Sequence, residues 1–306
     1  MMDQTYREYR PLLFGLAYRM LGTAADAEDI VHDVFAQYVQ MDTEAIKNER
    51  AYLAQMTANR CINLLKSSRR KREKYTGPWL PEPLPDYDSE RLSDPAERRE
   101  NIGYAYLVLM QRLTPLERAV YILKEALGFQ YFEIAEMLDK TETGCRKTFS
   151  RAKKKAGDNS IACQPAGGHS DIQEQFAQAF QRASDTGNFK PLLAFLTEEV
   201  TLVSDGGGKV RAALRPILGA ERVRAFLEGL AAKGIFKKGF KAVSINGDPG
   251  LLQERDGRTA LALCMEREPD GSRIRSLFLI LNPDKLVRFN ESPGTFLLPH
   301  PAGSIR

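Results

Sequence analysis

Thr143, Arg146, Lys147, Ser150, Arg151 and Lys154 recur at three- and four-residue intervals. That spacing lines them along one face of an α-helix. Guanidinium, ammonium and hydroxyl groups in such a row pair with base edges and phosphate oxygens in a DNA major groove. A second row is acidic. In AADAEDIVHDVFAQYVQ, Asp26, Asp29 and Asp33 lie at i, i+3 and i+7, with His32 beside the last. Acids early in a helix also suit its dipole, but Asp33 lies too deep for that, so a docking face for a basic partner helix is expected. A third feature is DGGGK, Asp205-Gly206-Gly207-Gly208-Lys209. Asp205 is the best candidate for a working carboxylate, yet acid–base catalysis wants a positioned partner. The only histidines of this half, His169 and His300, stand near its ends. No catalytic residue is therefore assigned. The glycines are read as a turn whose backbone approaches a partner closely, with Lys209 able to pair with acids.

The basic row must be held by a scaffold, and the sequence supplies one from Leu113 to Ala156. Leu116, Ala119, Val120 and Leu123 give one helix, and Gly128 ends it. Ile134, Ala135 and Leu138 give a second. Asp139-Lys140-Thr141 makes a turn, and Thr141 can cap the helix that follows. That last helix turns Cys145, Phe149 and Ala152 inward and the cations outward, the pattern of a helix-turn-helix. Upstream, Tyr6, Tyr9, Leu13, Leu16 and Met20 share a face ended by Gly22, and Pro11 predicts a helix start or a kink there. The acidic helix buries Ile30, Val31, Val34, Phe35 and Tyr38. A third helix over Glu49–Lys71 turns Tyr52, Leu53, Met56, Ile62 and Leu65 inward, exposes Asn59, Arg60 and Asn63, and runs into the cluster Arg69-Arg70-Lys71-Arg72.

The chain has 306 residues, 43% of them hydrophobic, and a formal net charge of +4. That length allows two or three domains, and the charge is too small to announce a nucleic-acid partner except through its clusters. The four cysteines, Cys61, Cys145, Cys163 and Cys264, form no CxxC pair. Reduced thiols, no metal, no cofactor and a cytoplasmic location without membrane contact are the expectations. Between Tyr75 and Glu100 five prolines exclude regular helix over the first half. Trp79, Leu80, Pro81 and Leu84 among them make an amphipathic docking peptide. Beyond Gly157 the pattern becomes mixed. Helices are expected around Ile172–Ala183, Leu192–Leu196 and Val223–Ala231. Strands are expected at Val200–Ser204, Phe240–Asn246, Gly250–Glu254, Thr259–Glu266, Ile274–Leu281 and Lys285–Asn290, with hairpin turns at Asp256-Gly257 and Asp270-Gly271. Helices followed by a curved antiparallel sheet describe an α+β cone.

FGLAYRML, DAEDIVHDVF and AYLAQMTANRCINLLKSSRRK together resemble region 2 of an extracytoplasmic-function sigma factor. The Leu113–Ala156 block resembles region 4 of that family, and Asp171–Asn290 resembles a SnoaL-like domain through DGGGK, the helix at Glu221 and NPDKL. The resemblance implies a multidomain fold, with two all-α sigma domains (a region 2 bundle and a region 4 helix-turn-helix) and a C-terminal α+β SnoaL-like cone. It divides the chain into residues 1–74, a linker at 75–100, residues 101–160, the cone at 161–290 and a tail at 291–306. It further implies core RNA polymerase and promoter DNA as partners. Asp26, Asp29, His32 and Asp33 would meet the β′ clamp helices, with His32 where the family commonly has Gln; region 4 would meet the β flap. The Met41–Asn48 loop with Asn59, Arg60 and Asn63 would take an unstacked −10 base. Arg69 and Arg70 would bind backbone, and the Arg146 helix would read the −35 element. Trp79, Leu80 and Pro81 of WLPEPLP would be held by Asp205–Lys209 and by Asn282, Pro283 and Asp284. The cone would then regulate the sigma part from within, with no separate anti-sigma protein and no enzymatic step. A ligand-sensing one-component regulator, or an enzyme tethered to a DNA-binding module, is the alternative.

Overall fold

In the computed structural model, which describes residues 2–42, 46–73, 75–85, 103–156, 171–236 and 239–290, the chain opens with α1 (Met2–Leu21). Pro11 lies inside this helix rather than at its start. The lost N–H bond is outweighed by the apolar face that buries Leu13, Phe14, Leu16 and Met20. Gly22, at φ +76°, turns the chain into α2 (Ala24–Tyr38), and α3 (Glu49–Glu73) closes a three-helix bundle on both. Part of the Met41–Asn48 loop, linker residues 86–100, Cys163, His169, His300, the tail 291–306 and the side chains of Arg69 and Arg70 lie outside the described residues.

The second helical unit has α4 (Tyr104–Met110), α5 (Pro115–Tyr121), a π-helical turn at Ile122–Ala126, α6 (Tyr131–Leu138) and α7 (Glu142–Ala156). Sequence chemistry sets these boundaries. Thr114 and Glu117 form a reciprocal capping box with Pro115 at the first helical position. Asp139 ends α6 in the left-handed region at φ 52°. Thr141 Oγ1 accepts the Gly144 N–H at 3.1 Å to start α7.

The cone sets α8 (Asp171–Thr186) and α9 (Ala220–Ala232) against six strands: β1 (Leu196–Asp205), β2 (Ile217–Leu218), β3 (Lys241–Ile245), β4 (Asp248–Arg255), β5 (Arg258–Arg267) and β6 (Ile274–Ile280). Their order is β2-β1-β6-β5-β4-β3. Two expectations are corrected here. The sheet is mixed, because β1 and β6 run parallel while the other pairs are antiparallel. And Lys285–Asn290 is no strand: the segment forms 3-10 turns at Pro283–Lys285 and Val287–Asn290. Pro283 offers no N–H to a ladder, and the Asn282 side chain accepts the Asp284 N–H, which starts a helical turn instead.

Both faces of the sheet are covered. Leu251, Leu261, Leu263, Met265, Leu277 and Leu279 meet the cone's helices. Leu252, Ala262, Cys264, Phe278 and Ile280, on the opposite face, join Leu80, Leu84 and Tyr104 in a core continuous with both helical units. Runs such as LALCM and LFLI, apolar at every position, are what two-sided burial requires. Inside the cone Phe180 is ringed by Phe176, Phe189, Phe236 and Phe240, with ring centroids 5.1–6.0 Å away. Phe180→Ala is expected to destabilise the full chain by about 3–5 kcal/mol in urea unfolding. A loss below about 1 kcal/mol would show that this cluster does not support the cone.

Candidate nucleic-acid interface and the linker seat

Helix α7 presents Thr143, Arg146, Lys147, Ser150, Arg151 and Lys154 to solvent and buries Cys145, Thr148 and Ala152. Phe149 is half-buried, stacked on Tyr121. The outward face is a row of donors, with Lys155 held apart by a 2.8 Å ion pair to Glu117. Leu116, Lys140, Lys147, Ser150 and Arg151 line a shallow groove beside it. On α2 the side chains of Asp26, Asp29, His32 and Asp33 are exposed together. Asp33 lies 3.7 Å from Arg60 of α3, whose guanidinium also donates to Gln37 Oε1 at 2.7 Å.

The outward face of α3 is not free. The Asn59 amide donates to the Met137 carbonyl of α6 at 3.2 Å. Arg50 donates to the Leu127 carbonyl at 3.0 Å and lies over the Phe129 ring. Both carbonyls stand at helix ends, where acceptors lack helical partners and the dipole favours a donor. From the other unit, the buried Arg118 of α5 donates to the Met20 carbonyl at the end of α1. The two helical units are thus pinned together at three points, and Asn63 remains exposed.

The stretch 75–85 is bound along its length. Asp205, at the end of β1, has a fully buried side chain paired with Lys285 Nζ at 2.6 Å. Its oxygens also accept the Tyr75 hydroxyl at 2.6 Å, the Leu80 N–H at 2.9 Å and the Gly207 N–H at 2.9 Å. Lys285 Nζ donates in addition to the Leu80 carbonyl and sits 4.2 Å from the Trp79 ring centroid. Asn282 donates to the Tyr75 hydroxyl, and a Cβ on Gly207, at φ +60°, would overlap its amide. Lys209 pairs with Asp284 at the surface. Trp79 lies against Gly22, where a Cβ would strike its ring.

Further along, the Glu82 carboxylate accepts the Ala24 N–H at 2.7 Å, capping α2 in place of Thr23, whose own side chain makes no cap. Burial pushes the Glu82 carboxyl up, against the Ala24 N–H and Arg288, which lower it. Arg288 reaches back to Glu28 at 2.7 Å and Glu82 at 3.4 Å. Leu84 exchanges hydrogen bonds with Asn246, which also donates to the Tyr18 hydroxyl. Tyr104 donates to the Pro81 carbonyl at 2.7 Å. Tyr75, Glu82, Tyr104, Arg118, Asn246, Lys285 and Arg288 were not singled out by sequence reasoning. Lys285 and Glu82 lie inside NPDKL and WLPEPLP; nothing local marks the others.

Two family models match the chain: "Sigma-70 region 2" over residues 5–71 and "Sigma-70, region 4" over residues 104–155. The ECF RNA polymerase sigma factor SigJ of Mycobacterium tuberculosis is 31% identical over 295 residues, covering 92% of each chain. A probable ECF RNA polymerase sigma factor SigI of the same species is 30% identical over 230 residues, 72% of this chain and 74% of that one. The crystal structure of the M. tuberculosis SigJ factor superposes with a TM-score of 0.72 and 28% identity, over 94% of this chain and 98% of that one.

Lys285→Met leaves Asp205 buried without its cation, and a loss of about 3–5 kcal/mol in urea unfolding is expected. Adding Asp205→Asn, which removes the orphaned charge, should recover part of it. Because Trp79 is the only tryptophan, its emission should move to the red in the single variant. An unmoved spectrum with unchanged stability would show that the pair does not hold the linker.

Proposed function

Because the chain belongs to the extracytoplasmic-function RNA polymerase sigma factors, we propose that its cone, by seating the linker, holds the two promoter-reading units in a closed arrangement that polymerase must open. A sigma factor of this family directs promoter-specific transcription initiation by core RNA polymerase. In our reading residues 1–74 and 101–160 are the two promoter-reading units, 75–100 the linker, 161–290 the regulatory domain and 291–306 a tail. Asp26, Asp29, His32 and Asp33 form the surface for the β′ clamp helices, and the region 4 unit takes the β flap. Asn59, Arg60 and Asn63 receive the −10 element, Arg69 and Arg70 its backbone, and α7 reads the −35 element. Trp79, Leu80, Pro81, the Asp205–Lys209 turn and Asn282, Pro283 and Asp284 carry the regulation. No covalent step is assigned to the cone, and it takes the role of a separate anti-sigma protein. The reading places the protein with polymerase in the cytoplasm.

One observation carries this reading. The Asn59 amide is spent on the Met137 carbonyl, while the α2 acids and the α7 face stand open. In the closed chain Asn59 of the proposed −10 surface is therefore the residue that the other helical unit occupies, while Asn63 stays exposed. Polymerase can engage the α2 acids first, and its differential affinity for the open form then separates the units. Only contacts that differ between the two forms contribute to that shift.

Run-off transcription with limiting core polymerase tests the proposal. Asp205→Asn in the full chain is expected to raise the promoter-specific transcript several-fold over wild type. An unchanged or lower yield, with the variant still folded, would show that the linker seat does not hold the chain closed.

A further inference from the structure

Arg146 on the open face of α7 is braced from two sides. Glu142 Oε1 accepts from its Nε at 3.2 Å and from its Nη2 at 2.7 Å. On another side lies the ring of Tyr131, whose centroid is 4.9 Å from the guanidinium carbon. Tyr131 opens α6 and is itself set edge-on against Phe149 of α7, 5.9 Å between centroids. Lys124 Nζ also lies over the Tyr131 ring, 4.9 Å from its centroid, so every group in this bracket falls within residues 124–149 and it does not depend on the cone.

The bracket decides which edge of the guanidinium faces outward. Glu142 occupies the Nε–Nη2 edge, leaving the Nη1 hydrogens and the outer Nη2 hydrogen as a free fork. Such a fork matches the O6 and N7 acceptors of guanine. The Glu142 carboxylate also alters what Arg146 gains from a phosphate. It offsets the cation locally and repels a phosphate brought to the same place, whereas hydrogen bonding to a base edge keeps its geometry. An unbraced arginine on a long stem falls readily onto the backbone, which supplies affinity without sequence information. The aromatic face below adds a cation–π contact that restricts the stem further.

We propose that Glu142 and Tyr131 are positioning residues that direct Arg146 to a guanine of the upstream promoter element and away from the phosphate backbone. This rests on the reading of α7 as the −35 reader, and the two can fail separately. The experiment uses the full chain assembled with core polymerase and competing promoter duplexes randomised across the upstream element. Wild type is expected to prefer guanine at one position, and Arg146→Ala to erase that preference. Glu142→Ala should lower it about fivefold or more, the range of one bidentate base contact. Glu142→Gln keeps the acceptor and removes the charge. It should retain much of the preference while steepening the dependence of log affinity on log salt, because a carboxylate that repels the phosphates is gone. Tyr131→Phe, which keeps the ring, should match wild type, and Tyr131→Leu should lose preference as Glu142→Ala does. Glu142 is exposed, so its variants should fold, with only a small loss of thermal stability from the missing first-turn charge and i,i+4 pair.

Wild-type preference and salt slope in both Glu142 variants would overturn the proposal while leaving Arg146 as reader. A guanine preference that survives Arg146→Ala would overturn the reading of α7 itself.

Discussion

A carboxylate with no exposed surface must find its partners inside the protein, and for Asp205 two of them come from the linker. Its four donors are Lys285, the Gly207 N–H, the Tyr75 hydroxyl and the Leu80 N–H. Only the first two belong to the cone. Withdrawing residues 75–80 would leave the ion pair half-satisfied in a low-dielectric interior, where a lost hydrogen bond to a charge costs most. The seat is therefore specific as well as adhesive. A different peptide lacking a hydroxyl at one end and a free N–H at the other would not satisfy the same charge. Lys285 repeats the logic, since its ammonium serves Asp205, the Leu80 carbonyl and the Trp79 ring at once.

Around that polar centre the packing is apolar and shared. The outer face of the sheet contributes Phe278 and Ile280 to the same core as Leu80, Leu84 and Tyr104, so cone, linker and helical units lack separate cores on that side. Such an interface is not a loose contact between finished domains. Opening it exposes surface that each unit otherwise buries, a cost that in the proposed opening by polymerase would be offset by contacts made only in the open form. Under that proposal reciprocity follows: a change that raised polymerase affinity by loosening the seat would itself be favoured by polymerase. Glu82 ties the two ends of this exchange, because the linker residue that caps α2 lies under the helix whose acids face the solvent.

Much of this was legible in the sequence, and the failures have physical causes. Helical spacing identified the helices that carry Asp29 and Arg146, because an amphipathic stripe is a local property. The hydrophobic residues among prolines marked the linker as a docking segment, and Leu80 and Leu84 are buried. The expected strand at Lys285–Asn290 failed because alternation over a few residues cannot be told from a 3-10 turn when Pro283 and Asn282 start that turn. The parallel pairing of β1 with β6 was invisible for another reason: strand direction depends on a crossover some 70 residues long. Arg118 reads as an ordinary helix-surface cation. Its burial against the end of α1 is set by the docking of two units, which no local pattern encodes.

Chain order adds a consequence in time. The contacts that close the seat join residues far apart, Leu80 to Asp205, Leu80 to Lys285 and Glu28 to Arg288. A ribosome making about 5–20 residues per second needs on the order of 7–26 s to pass from Ala156 to Arg288. Through that interval both helical units and the linker have been synthesised, but Asp205 and Lys285 are not yet there to hold Tyr75 and Leu80. Each newly made molecule thus begins with the pins between its helical units alone, and gains the buried seat for Tyr75 and Leu80 only when the last turns of the cone emerge.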